Sequence, residues 1–425
     1  MAAAPPSDAA VLEAVAAGRA DMEALLADLV RAPTLLGAEA TGQAVMRRAL
    51  AGLGLEPVDV PLDPRALRGH PAASPFSWDV AGKSNVVARW KAAGNGAGRS
   101  LILNGHVDVV SPEPAALWSS DPWSGERDGD WLYGRGAGDM KAGLAAIVGA
   151  VAGLRRLGLA PRGTVELQSV VEEECTGNGA AACVIGGSRA DAALITEPTG
   201  GTIWSAQVGV LWFWVRVAGR PAHAGTAAEG ENAIEATYAV IRALRALEAE
   251  LNAAPPPPFV GHAHPINLNV GTIRGGDWPS TVAGECVTEF RLALYPGETV
   301  ESLRRRVEET VAAAAQSDAF LARCEVEVRY DGFACEGYAL QGGPLVDAVA
   351  HAGARVYGAA PAVVASTATT DARTFHLYGG TPAVCFGPRA ENIHSVDERV
   401  HLPSMVQTAQ AVALFVRDWC GVAPA

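Results

Sequence analysis

Four apolar, strand-like runs in this chain lead into side chains that bind hard metal ions. Ser100 to Leu103 leads into Asn104-Gly105-His106-Val107-Asp108, and Thr164 to Val171 into Glu172-Glu173-Glu174. Ala192 to Ile195 leads into Thr196-Glu197-Pro198, and Pro382 to Phe386 is followed by Glu391-Asn392-Ile393-His394-Ser395. A glycine-rich turn, Tyr133-Gly134-Arg135-Gly136-Ala137-Gly138, delivers a further carboxylate, Asp139, to the start of a helix. In open α/β sheets ligands bind outside the carboxyl ends of the strands, so these residues are expected to share one site. Adjacent acids at the end of an apolar strand repel one another unless cations neutralise them. His106, His394, Asp139, Glu174 and Glu197 form a mixed nitrogen and oxygen set suited to zinc, with manganese or cobalt as alternatives, and too large for one tetrahedral ion. Two divalent cations sharing a bridging carboxylate and a water account for the number. A carboxylate that fixes the second ring nitrogen of a ligating His strengthens it, a role open to Asp108.

The elements that must position these groups alternate. Strand-like runs Asn85 to Trp90, Ser100 to Leu103, Thr164 to Val171 and Ala192 to Ile195 are separated by helical segments near Lys141 to Leu157 and Gly179 to Ile185. An amphipathic helix is expected over Val11 to Val30. This rhythm predicts an α/β fold with a mostly parallel sheet flanked by helices. The middle third reads differently: strand Val208 to Val217, helix Asn232 to Leu251, strands Ile266 to Ile273 and Gly284 to Leu294, helix Val300 to Ala315, strand Glu325 to Tyr330. That order, β-α-β-β-α-β, is the ferredoxin-like unit. From about Asp331 the first rhythm returns, with a helix near Pro344 to Val356 and a closing helix from Met405 to Trp419. The expected organisation is a catalytic domain in two parts, 1–207 and 331–425, with an inserted α+β domain at 208–330.

At 425 residues the chain suits two folding units. Its formal net charge of -13 repels phosphate backbones and anionic lipid heads, which argues against nucleic acid and membrane surfaces as partners. Seven scattered cysteines, an odd number, argue against a full disulfide framework and fit a reducing cytoplasm. Met1 to Ala10 has no basic region followed by an apolar stretch, and no 18-residue apolar run is apparent elsewhere. The glycine turn before Asp139 matches neither nucleotide-loop spacing, and Ser111 and Cys175 lie in no nucleophile-elbow motif. His262 and His264, beside the proline run Pro255 to Pro258, read as a solvated loop.

The ligating residues, in this order, resemble the two-zinc metallopeptidase family of acetylornithine deacetylase, succinyl-diaminopimelate desuccinylase, aminoacylase and glutamate carboxypeptidase, over nearly the whole chain. The resemblance implies that His106 and Glu197 belong to one metal, Glu174 and His394 to the other, and that Asp139 bridges both, with Asp108 orienting His106. It implies Glu173 as the general base. Gly219-Arg220-Pro221-Ala222-His223-Ala224-Gly225 resembles the family's lid motif, whose His stabilises the oxyanion and, in dimeric members, comes from the neighbouring subunit. The inserted domain is thereby implied to serve as lid and dimerisation domain of a homodimer. Arg291, in Glu289-Phe290-Arg291, resembles an arginine that binds a substrate carboxylate. Gly275 to Thr281 and Thr369-Thr370-Asp371-Ala372-Arg373 resemble the acetylornithine-deacetylase-like and formylaminopyrimidine-deformylase-like branches, with Arg373 a second candidate to grip a substrate anion. Three positions depart from the family pattern: Glu172 for a common Asp, Lys141-Ala142-Gly143 for Lys-Gly-Gly, and Asp121-Pro122-Trp123 for Asp-Pro-Phe.

The implied activity is hydrolysis of an amide bond by metal-activated water, removing an acetyl, formyl or similar group from the nitrogen of a small amino-acid-like or amine substrate. A dipeptidase or carboxypeptidase, or a C–N hydrolase acting on an aryl amine, is the alternative. A non-catalytic binding protein on the same fold would require a broken ligand, and none is found.

Overall fold

The computed structural model describes residues 6–94 and 96–425; the first five residues of the N-terminal stretch read above, and Asn95, lie outside them. A nine-stranded sheet is built from strands before and after the middle third of the chain. At its centre Val165–Val170, Leu101–His106, Ala193–Ile195 and Ala383–Cys385 lie side by side, all parallel. Antiparallel strands flank them: Ser84–Trp90 on one side and Ile203–Gln207 on the other. Every residue of Leu101–His106 and of Val165–Val170 is buried, as expected where helices cover both faces of a parallel sheet. Leu101, Leu103, Leu194 and Val384 pack into one apolar cluster, while Ile102, Ala193, Ile195, Ala383 and Cys385 alternate into another. The first layer is the closing helix Leu402–Cys420 against Ala142–Arg156, Pro344–Tyr357 and Asp8–Ala16. Phe375 and Ala372, from the short helix Ala372–Tyr378, belong to the second.

The middle third forms its own antiparallel sheet, in the order Leu268–Gly275, Glu285–Leu294, Gly209–Ala218, Glu325–Arg329, with Ala334–Cys335 pairing further along Gly209–Ala218. Helices Ala233–Leu251 and Val300–Ser317 cover one face. Each begins where a side chain caps the orphan backbone N–H groups: Asn232 accepts from Ile234 and Glu235, and Thr299 accepts from Ser302. Phe213 and Phe290, stacked 5.2 Å apart, join Val240, Leu244 and Val307 in the core between sheet and helices.

Two expectations are corrected. The single helix expected over Val11 to Val30 is two, Asp8–Ala16 and Arg19–Val30, parted at Gly18, where the Arg156 guanidinium would stand 2.3 Å from any Cβ. One helical stretch, Ala137–Arg156, is long and apolar enough to cross a membrane, but 83% of its apolar window is buried in the core, so packing accounts for its composition.

Candidate active site

The parallel strands end together, and their last residues carry the chemistry. Leu101–His106 runs on through Asn104 and Gly105, so His106 closes the strand itself rather than following it. Its ring is 1% exposed and its Nε2 has no hydrogen-bond partner. That orphaned nitrogen lies 3.3 Å from Asp139 Oδ1, 3.9 Å from Glu173 Oε2 and 4.0 Å from Glu197 Oε2. On the far side of Asp139, His394 Nε2 lies 3.4 Å from Oδ2 and 3.1 Å from Glu174 Oε2. Asp139 therefore spans two imidazoles with its two oxygens. Donor atoms of His106, Asp139 and Glu174 all fall within 4.8 Å of one another.

Charge follows the same division. Burial disfavours a charged His106, but the surrounding carboxylates outweigh it and hold its pKa well above the usual value. The Glu174 carboxylate lifts His394 to about 11. Burial resists ionisation of Asp139, yet both imidazoles together hold it well below the ordinary carboxylate range. Glu173 and Glu197 are pushed well up, first by burial and then by neighbouring carboxylates. An acidic cluster that resists its own ionisation, facing an unpartnered imidazole nitrogen, is what a divalent cation relieves. The donor set thus fits bound metal.

Local structure explains how each group is held. The ring proton on His106 Nδ1 is donated to the backbone carbonyl of Asp108 at 2.9 Å. The Asp108 carboxylate stands further off, at 3.7 Å, and accepts from the Glu174 N–H at 3.0 Å. Asp108 thus braces both the His106 ring and the Glu174 backbone. Burial raises its pKa to about 7. Gly143 brings the helix after Asp139 onto the strand end before Glu197: a Cβ there would lie 2.1 Å from the Thr196 carbonyl oxygen. His394 (φ 59°) sits between Asn392 (φ 58°) and Asp397 (φ 54°), a run of left-handed non-glycine residues. Such backbone persists only where the surroundings impose it. Here Arg135 bonds the Ser395 carbonyl, while Ser119 holds the Asp397 carboxylate.

The roles of three charged side chains, the buried Glu398 and Arg135 and the part-buried Lys83, carry little signal in the sequence. Glu398 is fully buried and accepts from Arg135 Nη1 at 2.5 Å and from the N–H groups of Gly136, Gly138 and Asp139 at 2.9 to 3.0 Å. It pins the turn that presents Asp139. A carboxylate four residues past His394 and an Arg inside the glycine turn were the available signals. Lys83 is the third: it lies 2.8 Å from both Glu39 and Glu172. Glu172 also accepts from Trp78 Nε1 and Thr176 Oγ1, each at 2.9 Å. Of the three successive acids, one is thus neutralised by a lysine, while Glu173 and Glu174 face the cleft. Replacing Glu398 with Gln is expected to weaken metal binding about 10- to 100-fold, the usual cost of losing a group that orients a ligand. Competition with a chromophoric chelator measures this.

The centre opens into a cleft of about 920 Å³ between the two sheets, lined by Asp139, Glu173, Glu174, Glu197 and His394 on one side and by Trp212, Asn269 and Arg291 on the other. Arg291 has no acidic partner among the described residues, and burial lowers its pKa. Arg373 is placed elsewhere. It is fully buried, bonds Thr374 Oγ1 and the Thr176 carbonyl, and backs the ring of Phe333 at 5.1 Å. His223 is exposed and outside this cleft. Its Nδ1 accepts from the Gly225 N–H at 3.0 Å, leaving the ring proton on Nε2. The Cys175 thiol is pushed far up by burial and the Asp108 and Glu172 carboxylates, which suppresses the nucleophilic thiolate.

A parallel-sheet domain whose strand ends gather a metal-binding set, covered by an inserted antiparallel domain, defines a metal-dependent hydrolase. The chain belongs to peptidase family M20/M25/M40, whose sequence profile matches residues 102–418. Among its relatives, the N-formyl-4-amino-5-aminomethyl-2-methylpyrimidine deformylase of Bacillus subtilis is 30% identical over 365 residues, 81% of this chain and 85% of that one. The succinyl-diaminopimelate desuccinylase of Dinoroseobacter shibae is 27% identical over 410 residues, 94% of this chain and 99% of that one. The fold matches that of a di-peptidase from Saccharomyces cerevisiae with a TM-score of 0.80 at 14% identity, over 97% of this chain and 98% of that one. As members of this family do, the protein hydrolyses amide bonds.

Proposed function

We propose that this enzyme removes a small acyl group, such as formyl, acetyl or succinyl, from the nitrogen of a small anionic amine, using two divalent cations, zinc by preference. The observation that carries the two-ion reading is the placement of Asp139 between His106 and His394, one carboxylate oxygen toward each. On this reading His106 and Glu197 would hold one cation and His394 and Glu174 the other, with Asp139 shared. The cations would lower the pKa of water from about 15.7 toward roughly 7 and polarise the amide carbonyl.

The chain's own residues do the rest. Glu173 lies at the cleft floor 3.9 Å from His106 Nε2, and no hydrogen bond from the described residues ties up its carboxylate. It takes the proton from the attacking water and returns it to the leaving nitrogen. The Nε2 proton of His223 suits an oxyanion. Because His223 stands outside its own chain's cleft, we assign it to the cleft of a second copy, in a homodimer formed through the inserted domain, residues 208–330. Arg291 grips the substrate carboxylate; its isolation from protein acids supports that role, and the burial of Arg373 leaves it none. The seven free cysteines fit a cytoplasmic enzyme.

The test is hydrolysis by the metal-loaded enzyme of matched N-formyl, N-acetyl and N-succinyl amino acids against dipeptides of the same residues. Faster cleavage of dipeptides would overturn the deacylase reading in favour of a dipeptidase. Arg291→Leu is expected to raise KM about 10- to 100-fold with kcat less affected, since a carboxylate grip acts alike in ground and transition states. An unchanged KM would remove Arg291 from the substrate site.

A further inference from the structure

We propose that Trp212 is a stacking platform for a flat aromatic or heteroaromatic ring, placed beside Arg291 so that the preferred substrates are anionic N-acyl compounds carrying such a ring. The proposal rests on the reading of Arg291 as the carboxylate grip.

Three observations carry it. In the register of the inserted sheet Trp212 pairs directly with Arg291, which in turn pairs with Asn269. Directly opposed residues on one face stand with Cβ atoms about 4.5 to 5.5 Å apart, so indole and guanidinium share one patch of the cleft wall. Secondly, the ring is held in place by its neighbours. Gly332 lies so close that a Cβ there would meet Trp212 Cβ at 3.1 Å and Cε3 at 3.2 Å. Phe333 meets the indole edge-on, with centroids 6.0 Å apart and planes at 72°, and its carbonyl accepts from the backbone N–H of Trp212 at 2.7 Å. Arg373, behind Phe333, buttresses the wall from the interior.

Thirdly, Trp212 is uncommitted where a neighbouring indole is not. Trp214, two residues on, donates its Nε1 proton to Asp331 at 2.9 Å and carries Arg329 over its ring at 4.8 Å. Among the described residues no such partner engages Trp212, which is half-buried and lines the cleft. A rigid indole packed against its neighbours, lining an open cleft with a cation alongside, recognises a planar ring bearing a carboxylate.

The test is isothermal titration calorimetry of the metal-loaded enzyme with 3-phenylpropionate and 3-cyclohexylpropionate, which share carboxylate and chain length and differ in ring planarity. The planar acid is expected to bind roughly three- to tenfold more tightly, the range of an aromatic pair beyond its buried area. Trp212→Leu should erase that ratio and Trp212→Phe should keep most of it. Arg291→Leu should weaken both acids alike. Equal or undetectable binding of the two acids to the unaltered enzyme, or a ratio that survives Trp212→Leu, overturns the platform. Circular-dichroism melts check that each variant is folded. Failure of the deacylase reading would appear separately, as absence of acyl cleavage while the two acids still differ in affinity.

Discussion

Glu173→Gln is expected to leave a folded enzyme that keeps its metal ions and loses turnover by about 10²- to 10⁴-fold, the range for removal of a general acid–base group. Gln preserves the length and shape of the side chain and removes only its ability to take a proton. The surroundings sharpen the expectation. Burial beside Glu197, Glu174 and Asp371 already disfavours the charged form of Glu173, so a neutral Gln in its place should leave the metal-free protein no less stable. KM should change little, because the lost interaction belongs to the transition state. Steady-state kinetics with metal analysis of the same sample decides it. Activity within tenfold of the unaltered enzyme, at full metal occupancy, would reject Glu173 as the base.

Asp139→Asn is expected to cost metal and activity together. One carboxylate faces both imidazoles, and the two rings hold its charge against the penalty of burial. An amide cannot bridge two cations with two anionic oxygens. Metal content should fall below that of the unaltered protein. Activity should fall by roughly 10³-fold or more, corresponding to the several kcal/mol that bound cations supply to such transition states. Chelation should reproduce the loss in the unaltered enzyme and added zinc should reverse it, whereas the variant should stay inactive at the same zinc concentration. Stripped enzyme that remains fully active would defeat the metal-dependent reading.

The two predictions differ in how far the sequence could carry them. Asp139 was marked by its glycine turn, and His106, Glu174, Glu197 and His394 by their places after apolar runs. The structure brings these together with Glu173 because parallel strands present their carboxyl ends on one edge. Legibility failed where partners lie far apart in the chain. Lys83 reaches Glu39 and Glu172 from 44 and 89 positions away, and Glu398 reaches Arg135 across 263. Neither pairing leaves a periodic or local trace. For Asp108 the expectation was a carboxylate on the His106 ring. The backbone carbonyl of Asp108 takes the proton instead, a difference in side-chain orientation of the kind composition does not record.

Arginine shows the same limit from the other side. In the sequence Arg291 stood as the first candidate for a substrate anion and Arg373 as a second, with a surface salt bridge as its alternative. Burial separated them: one lines the cleft without an acidic partner, and the other is sealed beneath Phe333.

By itself the sequence determined which chemical groups the protein has to offer, their order, and the alternating and ferredoxin-like patterns of the elements that carry them. Local periodicity and residue chemistry are properties of short stretches, and they survive without knowledge of the fold. Only the tertiary structure decided which acid of Glu172-Glu173-Glu174 turns to a lysine, which arginine faces open space, and that Trp212 stands beside Arg291. Those outcomes depend on register and on contacts between distant segments, where a shift of one residue sends a side chain to the opposite face.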